Sequence, residues 1–212
     1  KGDKKLLPHV NLLKNIIEHL NNNQPVRSFK CKEEEEVLLK SHHFLTKKKV
    51  IYVTNLKEQD LLKLDSPYYQ KVKAYAEREN SQIIPLCAKL EEELSMLEYE
   101  EAQDYLKELG LKEQGLNRLI QSSFKTLDLI TFLTTGEAET RAWTISKGWS
   151  AKEAAGKIHS DIQNGFIRAE VISYEDMIRY QGRAGAKEAG KARSEGKEYS
   201  VQDGDVILFF HN

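Results

Sequence analysis

The sequence predicts an α/β segment with a parallel sheet and a helical hairpin beside it, followed by a smaller α+β domain. Three observations predict this. A short helical stripe opens the chain, two apolar runs in its first half are each followed by a helical pattern, and a hairpin, helix and further strands occupy residues from about 128 onward.

Leu6, Val10, Leu13, Ile17 and Leu20 recur in alternating steps of four and three, which puts one apolar stripe along a helix and invites a partner helix. Pro8 fits only the first turn, so the helix is expected to begin there and to end in NNNQP. A second short helix is expected over Cys31 to Ser41, with Glu33 to Glu36 in its first turns, where the helix dipole favours acid. His42 and His43 follow its end, where cations are favoured, and a structural role outweighs a catalytic one. Val50-Ile-Tyr-Val53 reads as a fully buried strand. A helix over Pro67 to Glu79, a second apolar run from Gln82 to Leu86 and a helix carrying Glu91 to Leu97 complete strand, helix, strand, helix, the order of a parallel α/β sheet. Two strands do not complete such a sheet, so the others are expected from outside this chain.

From Leu129 the order changes. LITFL and TRAWTI, joined around Gly136, predict a hairpin. In WSAKE, Ser150 is an N-cap, Glu153 completes a capping box, and Trp149 is placed for a hydrophobic staple; Asn164-Gly165 ends that helix. FIRAEV, a basic loop, YSV, a QDGD turn and the closing strand VILFF follow. This is a small mixed sheet packed on one helix, of the β-grasp kind. The expected divisions are a helical arm over 1–46, the end of an α/β domain over 47–127, and a β-grasp domain over 128–212.

At 212 residues and 40% hydrophobic, the chain can bury a core, and 32 basic residues against 33 acidic give no global attraction to nucleic acid or to a membrane surface. No apolar run approaches the roughly 20 residues needed to span a bilayer, and KGDKKLLPHV lacks the apolar core of a secretory signal, so the expected setting is cytoplasmic. Cys31 and Cys87 stand alone, which argues against both a zinc site and a disulfide framework. The chain opens without Met inside a charged, helix-like segment and reads as a fragment. GAKEAGKA at residues 185–192 matches a P-loop in all but its last position, but Ala192 has no hydroxyl for Mg2+ and the charged stretch YEDMIRYQGRA before it is no buried strand. A solvated basic loop is expected there.

Ligands of open α/β sheets sit beyond the carboxyl ends of the strands, which directs attention to Thr54 to Glu58 and to Cys87, Ala88 and Lys89. Asn55 can donate and accept through its amide and Leu56 can lie against a flat base. Ordinary turn chemistry also places Asn at strand ends.

VIYVTNLKE, then IIPLCAKLEEEL, then TFLTTGEAETRAWTISKGWSAKEAAGKIHSDIQNGFIRAEV and EGKEYSVQDGDVILFF resemble the Obg-like ATPases, the YchF family of translation-factor-class P-loop GTPases and ATPases. The resemblance covers nearly the whole chain. It implies a G domain interrupted by a helical coiled-coil arm, then a TGS domain of β-grasp fold, with the P-loop, switches and Mg2+ ligands before Lys1. Where GTPases of the class carry N-K-x-D, this chain has Asn55-Leu56-Lys57-Glu58, and the longer carboxylate of Glu58 no longer fits the guanine edge. The resemblance implies ATP with Mg2+ as ligand, adenine contacts from Asn55 and Leu56, and Ala88 on the other side of the base, with Cys87 where Ser is usual. It also turns Arg183, Lys187, Lys191, Arg193 and Lys197 toward phosphates of ribosomal RNA. The implied function is an ATP-hydrolysing, ribosome-binding regulator, the segment alone being inactive. A non-enzymatic ribosome or RNA adaptor and a TGS-containing GTPase are the alternatives.

Overall fold

Pro8 stands in the first turn of α1 (Leu7–Asn21), the helix position that needs no N–H. The computed structural model describes residues 6–136 and 139–212; the opening residues 1–5 and part of the expected hairpin turn, 137–138, lie outside them. After a turn around Val26, α2 (Glu33–Ser41) starts with its four glutamates in the first turn. The buried side chains of α1 are Leu12 and Ile16, packed with Val26 and Leu39, whereas Leu6, Val10, Ile17 and Leu20 of the expected stripe are exposed. The connection decides this. His19 bonds the Pro25 carbonyl at 3.1 Å and Ser28 at 3.0 Å, which folds the turn back onto the Leu12 side of the helix.

β1 (Ile51–Asn55), α3 (Pro67–Arg78) and β2 (Gln82–Leu86) form one parallel crossover, with pairs running from Ile51–Gln82 to Asn55–Leu86. Val53 is 46% exposed, against the expectation of full burial, because β1 and β2 form a sheet of two strands. α4 (Ala88–Ser95) follows β2, and two helices beyond those expected, α5 (Tyr99–Glu108) and α6 (Gly115–Thr126), complete this part. Leu61, Cys87, Leu90, Leu94, Ala102 and Leu106 form its core. The Glu79 carboxylate joins the hairpin to the sheet: it accepts from Arg27 Nη2 at 2.9 Å and Tyr52 Oη at 2.7 Å. Burial pushes this carboxyl up, but the Tyr52 and Arg27 hydrogen bonds outweigh it and hold it below its ordinary value.

The chain divides into two compact units, Lys1–Ser122 and Ser123–Asn212. In the second, the order is β3 (Leu129–Thr135), β4 (Thr140–Ser146), α7 (Ala151–Ile158), α8 (Ser160–Asn164), β5 (Phe166–Ser173), α9 (Tyr174–Arg179), α10 (Arg183–Glu188), β6 (Arg193–Glu195) and β7 (Asp205–His211). The strands lie in the order β4-β3-β7-β5-β6, and the first and last, β3 and β7, are parallel neighbours at the centre. That is the β-grasp arrangement. The capping box forms as expected: Ser150 Oγ accepts from Glu153 N–H at 3.3 Å, and the Glu153 carboxylate accepts from Ser150 N–H at 2.7 Å. Ala151 and Ala154 then let α7 sit close on Phe132, Ile145, Val171 and Ile207. His159, in extended conformation, divides the expected helix into α7 and α8.

The expected basic loop is instead α9, α10 and β6. Ser173 caps α9 by accepting from Asp176 N–H at 3.2 Å, and Gly185 is required in α10 because a Cβ there would collide with the Tyr180 carbonyl. The P-loop-like string is therefore helix and turn. YSV forms no strand; Ser200 makes a single bridge to Ser150. Glu170, only 8% exposed on β5, explains the helix: Arg183 Nη1 and Lys187 Nζ, four residues apart on α10, reach its carboxylate at 2.8 and 3.0 Å. Arg193 is likewise engaged, 3.0 Å from Tyr199 Oη and 3.7 Å from the buried Asp205 carboxylate. Burial and the Asp205 carboxylate push the Tyr199 hydroxyl up to about 12. Lys197 approaches Glu198 at 4.0 Å in the open, and Lys191 is exposed. Three of the five cations expected to meet RNA are thus held by internal carboxylates.

Burial raises the Glu170 carboxyl, and the hydrogen bonds from Lys187 and Arg183 more than offset it, so its folded value lies below the ordinary 4.5. A depressed carboxyl stabilises fully above its unfolded value, and that contribution disappears as pH falls through the folded one. Glu170→Ala is expected to lower unfolding free energy at neutral pH by about 2 kcal/mol and to flatten the acid limb below pH 4.5, measured by thermal unfolding across pH.

Candidate functional site

The parallel crossover brings the carboxyl ends of β1 and β2 side by side, and the chain diverges from both into one cavity. Its volume is about 590 Å3, within the usual range for small-molecule sites, and it is lined by Asn55, Leu56, Lys57, Glu58, Gln59, Cys87, Lys89 and Leu90. Leu56 N–H donates to the Leu86 carbonyl at 2.8 Å, which extends the ladder one residue past β1 before the strands part. The chain then makes a tight turn over Glu58–Asp60, with Asp60 N–H on the Lys57 carbonyl and Leu61 N–H on the Glu58 carbonyl. Leu61 is buried in the core with Cys87 and Leu90, so the turn that displays Glu58 and Gln59 is anchored from below.

Asn55 holds the two loops together. Its Oδ1 accepts the Ala88 N–H at 3.0 Å, which fixes the amide and leaves the Nδ2 donors unengaged among the described residues. Ala88 itself does not line the cavity; it contributes through that N–H. Lys57 and Lys89 are exposed at the rim, Lys89 lying 3.5 Å from Glu93, and Glu58 is the acidic group in the lining. The site therefore presents side-chain amides from Asn55 and Gln59, an apolar wall from Leu56 over the buried Leu90, and the Glu58 carboxylate. A flat heterocycle fits such a set.

The back wall is braced by α6. The Glu91 carboxylate accepts from Gly115 N–H at 2.7 Å and Leu116 N–H at 3.1 Å, and Arg118 Nη2 donates to the Pro85 carbonyl at 2.9 Å. Gly115 is needed there, since a Cβ would lie 2.7 Å from the Leu86 Cβ. Of the residues the sequence singled out, Asn55, Leu56 and Glu58 come together in the lining, with Ala88 as their anchor. Gln59 and Leu90 are additions; Leu90 lies three residues after Cys87, one helical turn into α4 on the same face. The five cations from Arg183 to Lys197 belong to the second unit and take no part. Among the described residues no group of three or more His, Cys, Asp or Glu could hold a metal ion, and no helix is long and apolar enough to cross a membrane.

Comparison with known proteins matches residues 129–212 to the family model YchF-GTPase_C, described as "Protein of unknown function (DUF933)". Over 211 residues the chain is 47% identical to the ribosome-binding ATPase YchF of Bacillus subtilis, covering 99% of this chain and 58% of that protein. It is 44% identical to the protein of the same name from Haemophilus ducreyi, with coverage of 100% and 58%. The fold superposes on the Schizosaccharomyces pombe YchF GTPase with a TM-score of 0.81 at 32% identity, over 94% of this chain and 53% of that one. A GTP binding protein from Pyrococcus horikoshii shares the fold, with a TM-score of 0.57 at 18% identity. The chain thus spans somewhat more than half the length of the curated relatives it matches. Likeness that runs from the hairpin through the strand-end cavity to the β-grasp sheet, at these identities, makes this chain a member of the YchF family.

Proposed function

We propose that the cavity reads the adenine of ATP in an ATP-hydrolysing, ribosome-associated cytoplasmic protein whose phosphate-binding parts lie outside these residues. The observation that carries the reading is the pairing of Asn55 Oδ1 with the Ala88 N–H beside Glu58 in one strand-end cavity. With its oxygen engaged, Asn55 offers Nδ2 donors to a ring nitrogen, while the Leu56 side chain takes one face of the base. Adenine carries neither the N1–H nor the 2-amino group that a guanine-reading Asp accepts from. Glu58 then has no partner to lose with adenine and obstructs guanine. The names of the relatives, ribosome-binding ATPases, support the same reading. Mg2+ accompanying ATP would take its protein ligands from outside the described residues and would neutralise phosphate charge. The domain reading that goes with this is a helical arm over 1–46, the end of a G domain over 47–127 and a TGS domain over 128–212.

Asn55→Ala in the intact protein is expected to weaken ATP binding about tenfold, read by titration calorimetry, since one hydrogen bond and the anchor to Ala88 both go. Restoring Lys at Leu56 and Asp at Glu58 together is expected to raise guanine-nucleotide affinity; no gain in a GTP titration would sink the assignment of specificity to this loop. The 212-residue segment by itself is expected to release phosphate from ATP at no more than the background rate, which a steady-state assay checks.

A further inference from the structure

Two kinds of contact join α1 to α2. Leu12 and Ile16 pack with Leu39 in the hairpin core. Nearer the start of α1 and the end of α2 the contact is between imidazoles: His9 Nε2 and His42 Nε2, 33 residues apart in sequence, lie 2.6 Å from one another, with the ring centroids at 4.9 Å and the planes at 61°. Local structure places both rings. His9 stands in the first turn of α1, half-buried and one turn before Leu13, which packs on the core. α2 ends at His42, and His43 then takes a left-handed backbone, φ 49°, which turns the chain so that Phe44 stacks on the His42 ring at 5.5 Å and 28°. Phe44 packs on the same core as Leu13. Among the described residues no carboxylate meets either ring, and neither Nδ1 has a partner.

We propose that His9 and His42 form a two-imidazole site for a divalent cation of the Zn2+, Ni2+ or Cu2+ class, with water completing the shell. Two neutral imidazoles that share one hydrogen bond divide the roles, one donating through Nε2 and the other accepting. Both Nε2 atoms therefore aim at one point, which is the arrangement two histidines need to share a metal ion. At the usual Zn–N length of about 2.0–2.1 Å, two ligand atoms of a tetrahedral shell lie about 3.3 Å apart, so the rings need to part by less than about 1 Å. The ring that donates carries its proton on Nδ1 once the ion is bound, and that atom is free to take it. Imidazole suits this class of ion, whereas Mg2+ and Ca2+ take oxygen ligands. With His42 open to solvent, an ion can enter without any part of the fold moving aside. Its effect is structural: it clips the first turn of α1 to the end of α2, and it shares no residue with the strand-end cavity.

The test titrates Zn2+ alone into the intact, nucleotide-free protein, followed by calorimetry and by NMR of the histidine ring protons, and repeats the titration in excess Mg2+. In wild type the ring signals of His9 and His42 are expected to move together as Zn2+ binds, and Mg2+ is expected not to compete. His9→Gln and His42→Gln each keep a hydrogen-bonding side chain but lose a ligand. Each should weaken Zn2+ binding by about tenfold or more, the scale on which even the outer partners of a metal ligand act. One remaining imidazole cannot chelate, so the double variant should bind no more weakly than either single one. Hydrogen exchange of the α1 amides should slow on adding Zn2+ to wild type and stay unchanged in the variants, an effect that a hydrogen-bonded pair without a metal role would not give. His211→Gln, in the second unit, should leave the affinity as it is. Wild-type affinity retained in both single variants overturns the proposal, as does a wild type that binds no Zn2+ or loses it to Mg2+. The ring signals decide independently of how the variants fold: if Zn2+ binds while those of His9 and His42 stay still, the ion sits elsewhere and the site is not the one assigned.

Discussion

The parallel pairing of β1 with β2, in register to their last residues, is the constraint from which the first unit follows. Parallel neighbours cannot be joined by a turn, so the chain must cross over through α3 and start β2 at the same end as β1. Both strands then finish together, and the loops that leave them are obliged to face one another. Pro85, opposite Thr54, turns its backbone away from β1, so its missing N–H costs the ladder no bond. Its carbonyl is taken by Arg118 of α6. The cavity is what remains between two loops held at their roots by Leu56 on Leu86 and by Asn55 on Ala88.

Around that frame, several of the less regular joins are made by a carboxylate removed from water. Glu79 holds the hairpin turn through Arg27 and Tyr52, Glu91 holds the start of α6, Glu170 holds α10, and Asp205 holds Tyr199 and the Gln202 N–H. A shielded carboxylate without donors would cost several kcal/mol, so each of these demands a definite partner in a definite place. Such groups add less to net stability than to uniqueness of arrangement. That is why short helices such as α10, marginal on propensity alone, are well placed.

The same physics sets what could be read in the sequence. Elements built on local signals were legible almost to the residue: Pro8 at the start of α1, the Ser150–Glu153 box, and the β-branched run of β2. Elements fixed by distant partners were not. The stripe of α1 follows the heptad pattern, yet the side that is buried is the one the Val26 turn folds against. Arg183, Lys187 and Arg193 look in sequence like free cations because the buried carboxylates that hold them, Glu170 and Asp205, lie twelve to seventeen residues away on other elements. In the cavity, strand-end reasoning found Asn55, Leu56 and Glu58, because that rule depends only on where a strand stops. Gln59 and Leu90 required knowing the turn and the helix phase that follow, and the part played by Ala88 is invisible in a side chain, since it lies in its N–H.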